Sequence, residues 1–164
     1  MPPPIPYRIG FGHDVHRLII GRPLILAGVH VPHEYGLLGH SDADVLTHAL
    51  CDAILGACGL GDIGRHFPDS DPRYKGISSL VLLGKVMVMT HEAGYELENA
   101  DLTLVADRPR ISPFVERMRE TIARVCGVSA SQVNIKGTTT EGLGFTGTGE
   151  GMAGHAVVLL VAGG

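Results

Sequence analysis

Between Ser41 and Gly61 the chain reads SDADVLTHALCDAILGACGLG. Leu46, Ala49, Leu50, Ala53, Ile54 and Ala57 recur at helical spacing, which predicts a helix with one apolar stripe. Ser41 and Asp42 are its N-cap candidates, and Gly59 and Gly61 end it. Upstream, Tyr7–Phe11 and Leu24–Ala27 read as strands punctuated by Gly21, Pro23 and Gly28, and 36–39 reads as a turn. Downstream, GDIGRHFPDSDPRYKG (61–76) has no periodicity and reads as a long surface loop. Ser78 or Ser79 caps a second helix running to about Ala93. Leu97–Ala106 alternates as a strand. Ser112-Pro113 opens a third helix in the favoured N-cap and N1 order, with Val115, Met118, Ile122 and Val125 facing inward and Gly127 at its end. Val133 and Ile135 mark another strand. Residues 138–151 form a Gly/Thr-rich loop with no helix after it, and His155–Ala162 is a last, buried strand. The sum is an α+β fold, a single domain over 7–164 in which a mixed β-sheet carries helices packed on one face. Residues 1–6 are expected to be a short disordered lead.

The composition limits what such a domain can do. Its 164 residues suit one domain with a sizeable core. A formal net charge of -4 argues against a duplex nucleic-acid binder, which would carry a basic surplus. Aromatics at 5% and the absence of Trp leave little for base-stacking platforms. No apolar run is long enough to span a membrane, and the opening residues have neither the basic nor the apolar region of a secretory signal. Cys51, Cys58 and Cys126 are odd in number and show no C-x-x-C, so they are expected as reduced core residues.

Four clusters are candidates for chemistry. Asp14 and His16 stand at i and i+2, on one side of an extended chain, and pair a carboxylate with an imidazole. His48 supplies a third N/O ligand, leaving the open position of a catalytic metal site; Asp44 and Asp52, one turn away on either side, are candidates to orient it. The plain alternative is a solvated helix residue beside a polar turn. Gly39-His40-Ser41-Asp42 is either an anion site or simple capping. In Thr138-Thr139-Thr140-Glu141-Gly142 the hydroxyls can donate to phosphate oxygens and Glu141 can hold Mg2+; a plain turn is the alternative. Ala106-Asp107-Arg108-Pro109-Arg110 lies at a strand end, where two Arg suit phosphate or only solvent.

Three runs, RIGFGHDVHRL (8–18), GHSDADVLTHALCDAILGACGLGDIGRHFPDSDP (39–72) and NIKGTTTEGLGFTGTGEG (134–151), resemble the 2-C-methyl-D-erythritol 2,4-cyclodiphosphate synthase family of the non-mevalonate isoprenoid pathway. The resemblance implies a metal-dependent phosphorus–oxygen lyase that converts 4-diphosphocytidyl-2-C-methyl-D-erythritol 2-phosphate to the cyclic diphosphate and CMP. It implies one Zn2+ per subunit on Asp14, His16 and His48, and Mg2+ or Mn2+ on Glu141. His40 and Thr139 match transition-state stabilisers, and Ser41 and Thr138–Thr140 match phosphate contacts. Asp62, Ile63 and Gly64 match the ribose-binding stretch. Phe67, Pro68, Asp69, Ser70 and Asp71 match a loop over the methylerythritol phosphate. Ala106, Asp107, Arg108, Pro109, Arg110, Ile111 and Ser112 match a cytosine pocket that reads the base through backbone groups. A homotrimer with active sites between subunits is implied, with no nucleic acid and no membrane as partner. Cytoplasm is the expected compartment, and a mature plastid form would look the same. Arg110 stands where the family usually has Lys. Thr148 stands where some members have an Arg facing the trimer's central cavity, of which Phe145 would form an apolar wall. A zinc-dependent nucleotide-diphosphate hydrolase is the rival activity, and a non-catalytic nucleotide-binding trimer the rival from another class.

Overall fold

The computed structural model describes residues 6–164. Residues 1–5 of the expected lead lie outside them; Pro6 accepts a hydrogen bond from the Ala162 amide at 2.9 Å.

Strand β1 (Tyr7–Ile20) is much longer than expected. It runs through Asp14 and His16, which therefore sit inside a strand and not in a turn after it. The ladder explains why: β7 (Gly151–Ala162) pairs with it from Tyr7↔Val161 to Arg17↔Gly151, so paired backbone holds polar side chains in extended conformation. β2 (Leu24–Leu26) and β3 (Val29–Val31) form a hairpin turned at Ala27-Gly28. Both residues have positive φ, 48° and 74°, as a two-residue hairpin of matching twist requires. β4 (Tyr35–Leu37) then pairs with the end of β1, replacing the expected turn at 36–39.

Helix α1 spans Val45–Ala57. Its N-cap is Asp44, which accepts from the Thr47 amide, and not Ser41 or Asp42. Those two are engaged elsewhere, and Ala43 at φ 58° breaks the helical path before Asp44. The expected long loop contains a short helix α2 (Ile63–His66) and one 3-10 turn at Pro72–Tyr74. α3 (Ser79–Glu92) is capped by Ser78, whose side chain accepts from the Leu80 amide. β5 (Tyr95–Val105) follows. The third expected helix begins as a 3-10 turn, Ser112–Phe114, and becomes α-helical only over α4 (Val115–Cys126). Of its predicted stripe, Met118 and Ile122 are fully buried, while Val115 and Val125 are half-buried. β6 (Val133–Thr138) runs parallel to β5, with α4 as the crossover. A four-residue helix, α5 (Gly144–Gly147), lies inside the expected Gly/Thr-rich loop, and a strand follows it. The Thr140 hydroxyl stabilises that turn, donating to Leu143 O at 2.6 Å and lying 2.9 Å from Thr146 Oγ1.

The main sheet is mixed, in the order β4-β1-β7-β5-β6. One face carries the core: Leu102 and Leu104 of β5, Ala156, Val158 and Leu160 of β7 and Ile135 of β6 are buried with the inner sides of α1, α3 and α4. α1 lies against β1 with almost no gap. A Cβ at Gly12 would stand 1.8 Å from Ala49 O, and one at Gly10 1.8 Å from Ala53 O. Only glycine lets helix and strand backbones meet this closely. The opposite face of the sheet is open. On it Ile9 is 79% exposed, Phe11 62% and Val157 52%, and Phe11 and Val157 are cross-strand partners. Cys51 and Cys126 are buried and Cys58 half-buried, all free thiols.

Candidate active site and metal centre

The alternation of β1 puts Asp14 and His16 on the helix-bearing face, and the Gly12 contact brings α1 down beside them with His48 at the junction. Asp14 Oδ2 lies 2.9 Å from His16 Nε2 and 3.1 Å from His48 Nδ1. The two imidazole nitrogens are 3.4 Å apart. Donors about 2.0–2.1 Å from a tetrahedral ion would be separated by roughly 3.3 Å, so this triangle fits a four-coordinate divalent metal with one position left open. His16 Nδ1 donates to Leu38 O at 2.8 Å, which turns the Nε2 lone pair toward the triangle. Burial pushes the Asp14 carboxyl up, but hydrogen bonds from His16 and His48 outweigh it and hold the group at about 2. Burial pushes His16 down, and the bond and charge of Asp14 reverse this and raise it.

Neither aspartate expected to orient His48 does so. Asp44 is fully buried and accepts from Ala27 N, Gly28 N, Thr47 N and Thr47 Oγ1 at 2.7–3.1 Å. Burial raises its carboxyl even so. Asp52 accepts from Ile63 N at 2.7 Å and so pins the start of α2 to α1. The groups at His48 Nε2 are instead two hydroxyls: Ser79 Oγ at 2.8 Å and Ser41 Oγ at 3.1 Å. Sequence pattern offers Ser79 only as a helix cap. Its contact spans 31 positions, and no local pattern carries it.

The triad opens into a cavity of about 500 Å³ lined also by His40, Ser41, Ile63, Gly64, Phe67, Pro68 and Asp69. Phe67 is buried, edge-on to Tyr74 with centroids 5.4 Å apart. Asp62 caps α2 through the Arg65 amide. Asp71 is engaged by Arg73 at 2.6 Å while its carbonyl lies 3.3 Å from His40 Nε2. Asp62, Ser70 and Asp71 are outside this cavity wall.

A second cavity, about 590 Å³, opens at the ends of β5 and β6. It is lined by Ala106, Asp107, Pro109, Arg110, Ile111, Ser112, Thr138 and Thr139. The Arg108 side chain points away, 85% exposed. Thr140, Glu141 and Phe145 also lie outside the wall, and Glu141 has a positive φ of 54°. The two cavities share no lining residue. Val15 pairs with Ala153, Ala153 with Val105 and Val105 with Thr138. This row crosses three strand spacings, roughly 14 Å, so within one chain the Thr138–Glu141 segment is not brought to the metal triad.

The model of one family, described as the YgbB family, matches residues 7–161, nearly the whole chain. The chain belongs to the YgbB family. A YgbB relative from Syntrophotalea carbinolica, named 2-C-methyl-D-erythritol 2,4-cyclodiphosphate synthase, is 62% identical over 153 residues, covering 93% of each chain. Among solved structures, the bifunctional IspDF of Campylobacter jejuni superposes with a TM-score of 0.92 at 44% identity. The match covers 95% of this chain and 42% of that one. A 2C-methyl-D-erythritol-2,4-cyclodiphosphate synthase described as a CDP-bound form superposes with a TM-score of 0.86 at 42% identity, covering 93% of this chain and 99% of the other. The mixed sheet with helices on one face is thus a YgbB fold. Among the described residues no helix is long and apolar enough to cross a membrane.

Proposed function

We propose that this YgbB-family chain cyclises 4-diphosphocytidyl-2-C-methyl-D-erythritol 2-phosphate to 2-C-methyl-D-erythritol 2,4-cyclodiphosphate with release of CMP. The observation that carries the reading is the pairing of a metal-fitting Asp14–His16–His48 triangle with a separate cavity at the same end of the sheet. A CDP-bound relative of the same fold supports a cytidine diphosphate-linked substrate.

In the reaction an oxygen of the 2-phosphate attacks the β-phosphorus in line. The bond from that phosphorus to the oxygen bridging to the α-phosphate breaks, and CMP departs with its electron pair. The nucleophile is already anionic, so positioning and charge neutralisation carry the rate. Zn2+ held by Asp14, His16 and His48, and Mg2+ or Mn2+ at Glu141, would supply Lewis-acid neutralisation of the phosphates. His40 and Ser41 border the triad and donate to phosphate oxygens. Thr138 and Thr139 do the same from the second cavity, Thr139 to the charge that develops at transfer; Thr140, expected beside them, spends its hydroxyl proton on Leu143 O and holds the turn behind them. The Ala106–Ser112 segment reads cytosine, Asp62, Ile63 and Gly64 hold ribose, and the 67–71 loop covers the methylerythritol phosphate and excludes water, whose attack would give a linear product.

The two cavities are completed, in this reading, by a homotrimer in which the second cavity of one subunit meets the triad of the next. The open apolar face bearing Ile9, Phe11 and Val157 supports such an assembly. Free buried thiols at Cys51 and Cys126 suit a reducing compartment, and we assign the chain to the cytoplasm.

The test is 31P NMR of the purified protein with this substrate, Zn2+ and Mg2+. Two coupled phosphorus resonances of a cyclic diphosphate plus CMP are expected, and His48→Ala should abolish both. Linear phosphates plus CMP would overturn the cyclase in favour of a hydrolase, and an unchanged spectrum would leave a binding protein.

A further inference from the structure

We infer that Ser79 and Asp42 are positioning residues of the metal centre: the buried Ser79 hydroxyl and the half-buried Asp42 carboxylate form a chain that anchors the far side of the His48 imidazole and sets how tightly the triad holds its ion. The inference rests on the metal reading above.

Ser79 is fully buried at the first position of α3. Its Oγ makes a very short hydrogen bond to Asp42 Oδ1, and its backbone N–H donates to Asp42 Oδ2 at 2.9 Å. Asp42 is fixed in turn. Its Oδ1 also accepts from the Asp44 amide at 3.1 Å, and its own N–H donates to Ile77 O at 3.1 Å. A carboxylate can only accept, so the single hydroxyl proton of Ser79 goes to Asp42. The Ser79 oxygen is then left as an acceptor, 2.8 Å from His48 Nε2. With an ion in place of the Asp14 hydrogen bond, that geometry puts the proton on Nε2 and leaves Nδ1, the nitrogen facing Asp14 and His16, as the bare ligand atom. The direction of every bond is set by the carboxylate at the end of the chain.

Such a chain has two effects on a metal ligand. It locks the ring plane, and it pulls on the Nε2 proton so that Nδ1 becomes a better electron donor. It also frees Ser41. With the Nε2 proton directed to Ser79, the Ser41 hydroxyl, 3.1 Å from the same nitrogen, keeps its own proton for the cavity it lines. The arrangement joins α3 to α1 through the site, so the position of the second helix becomes part of the ligand geometry.

The experiment measures Zn2+ affinity by competition with a chromophoric chelator, which needs no turnover. Ser79→Ala should weaken Zn2+ by about 10- to 100-fold. Ser79→Thr, which keeps the hydroxyl, should restore most of the affinity. Asp42→Asn, which keeps the shape and removes the charge, should fall between. In the zinc-loaded protein the His48 Nε2 proton should give a slowly exchanging 1H–15N signal that Ser79→Ala loses, while turnover at saturating zinc recovers. Circular dichroism melts identify any variant that fails to fold. A folded Ser79→Ala with wild-type affinity would overturn the inference, and so would equal losses in the Ala and Thr variants, which would mean packing alone. A wild-type protein that does not bind Zn2+ would instead overturn the metal reading itself.

Discussion

Asp44 Oδ2 lies 2.7 Å from the backbone nitrogen of Gly28, so one buried carboxylate ties the hairpin turn between β2 and β3 to the first turn of the helix bearing His48. Asp44→Ala would leave the Ala27, Gly28 and Thr47 amides without their acceptor in a dry site. Each buried orphan costs about 1–3 kcal/mol, so a loss of about 3–5 kcal/mol is expected. Thermal unfolding at fixed protein concentration checks it, with a fall in Tm of about 10 °C.

Gly12→Ala should disable the metal centre without touching a ligand. The added methyl would stand 1.8 Å from Ala49 O, a helix backbone atom one residue from His48, so α1 must lift off β1. Overpacking of this kind costs about 1–3 kcal/mol. Chelator competition should report Zn2+ held at least about tenfold more weakly, and a wild-type affinity would refute the coupling.

Metal removal and nucleotide binding should separate. The two cavities share no residue, so dialysis against a strong chelator is expected to abolish turnover while calorimetry still records CMP binding within a few-fold of the untreated protein. Arg110→Ala should weaken CMP binding and leave Zn2+ affinity unchanged.

The open face should be covered in solution. Light scattering is expected to give three times the 17.3 kDa of one chain. Phe11→Glu, which places charge beside Val157 on that face, should shift the mass toward one chain and lower turnover with it.

A surface pair gives a small pH effect of definite sign. Partial burial pushes the Asp101 carboxyl up, but the Asn134 amide and the Lys136 ammonium, 2.7 Å away, outweigh it and hold the group below its ordinary value. A lowered carboxyl stabilises the fold above the unfolded value of 3.8 and stops doing so as pH falls through the lowered one. Asp101→Asn should therefore cost less than about 1 kcal/mol at pH 7, given the exposure of the pair. The difference in Tm from wild type should stay level from pH 8 to 5 and shrink below pH 4.

Legibility followed the range of the interactions. Helix α1 could be read because Leu46, Leu50 and Ile54 recur within one segment, and α3 because Ser78 caps it locally. The triad could be read because Asp14 and His16 share one side of an extended chain and His48 falls on a polar helical face. The length of β1 could not, since its middle is polar and only pairing with β7 keeps it extended. Asp44 looked like a helix-face residue because its partners at Ala27 and Gly28 are 17 and 16 positions away. Ser79 looked like a cap because the imidazole it meets lies on another helix.

The first strand carries two messages in alternate letters. Ile9, Phe11 and Val15 address the open face, while Gly10, Gly12, Asp14 and His16 address the helix and the site. Inserting or deleting a single residue between Tyr7 and Asp14 would exchange the two, pointing the ligands away from His48 and pressing Phe11 into the seat of α1. A substitution among the outer letters leaves the ligands aimed at His48, but a change in the spacing of this segment does not.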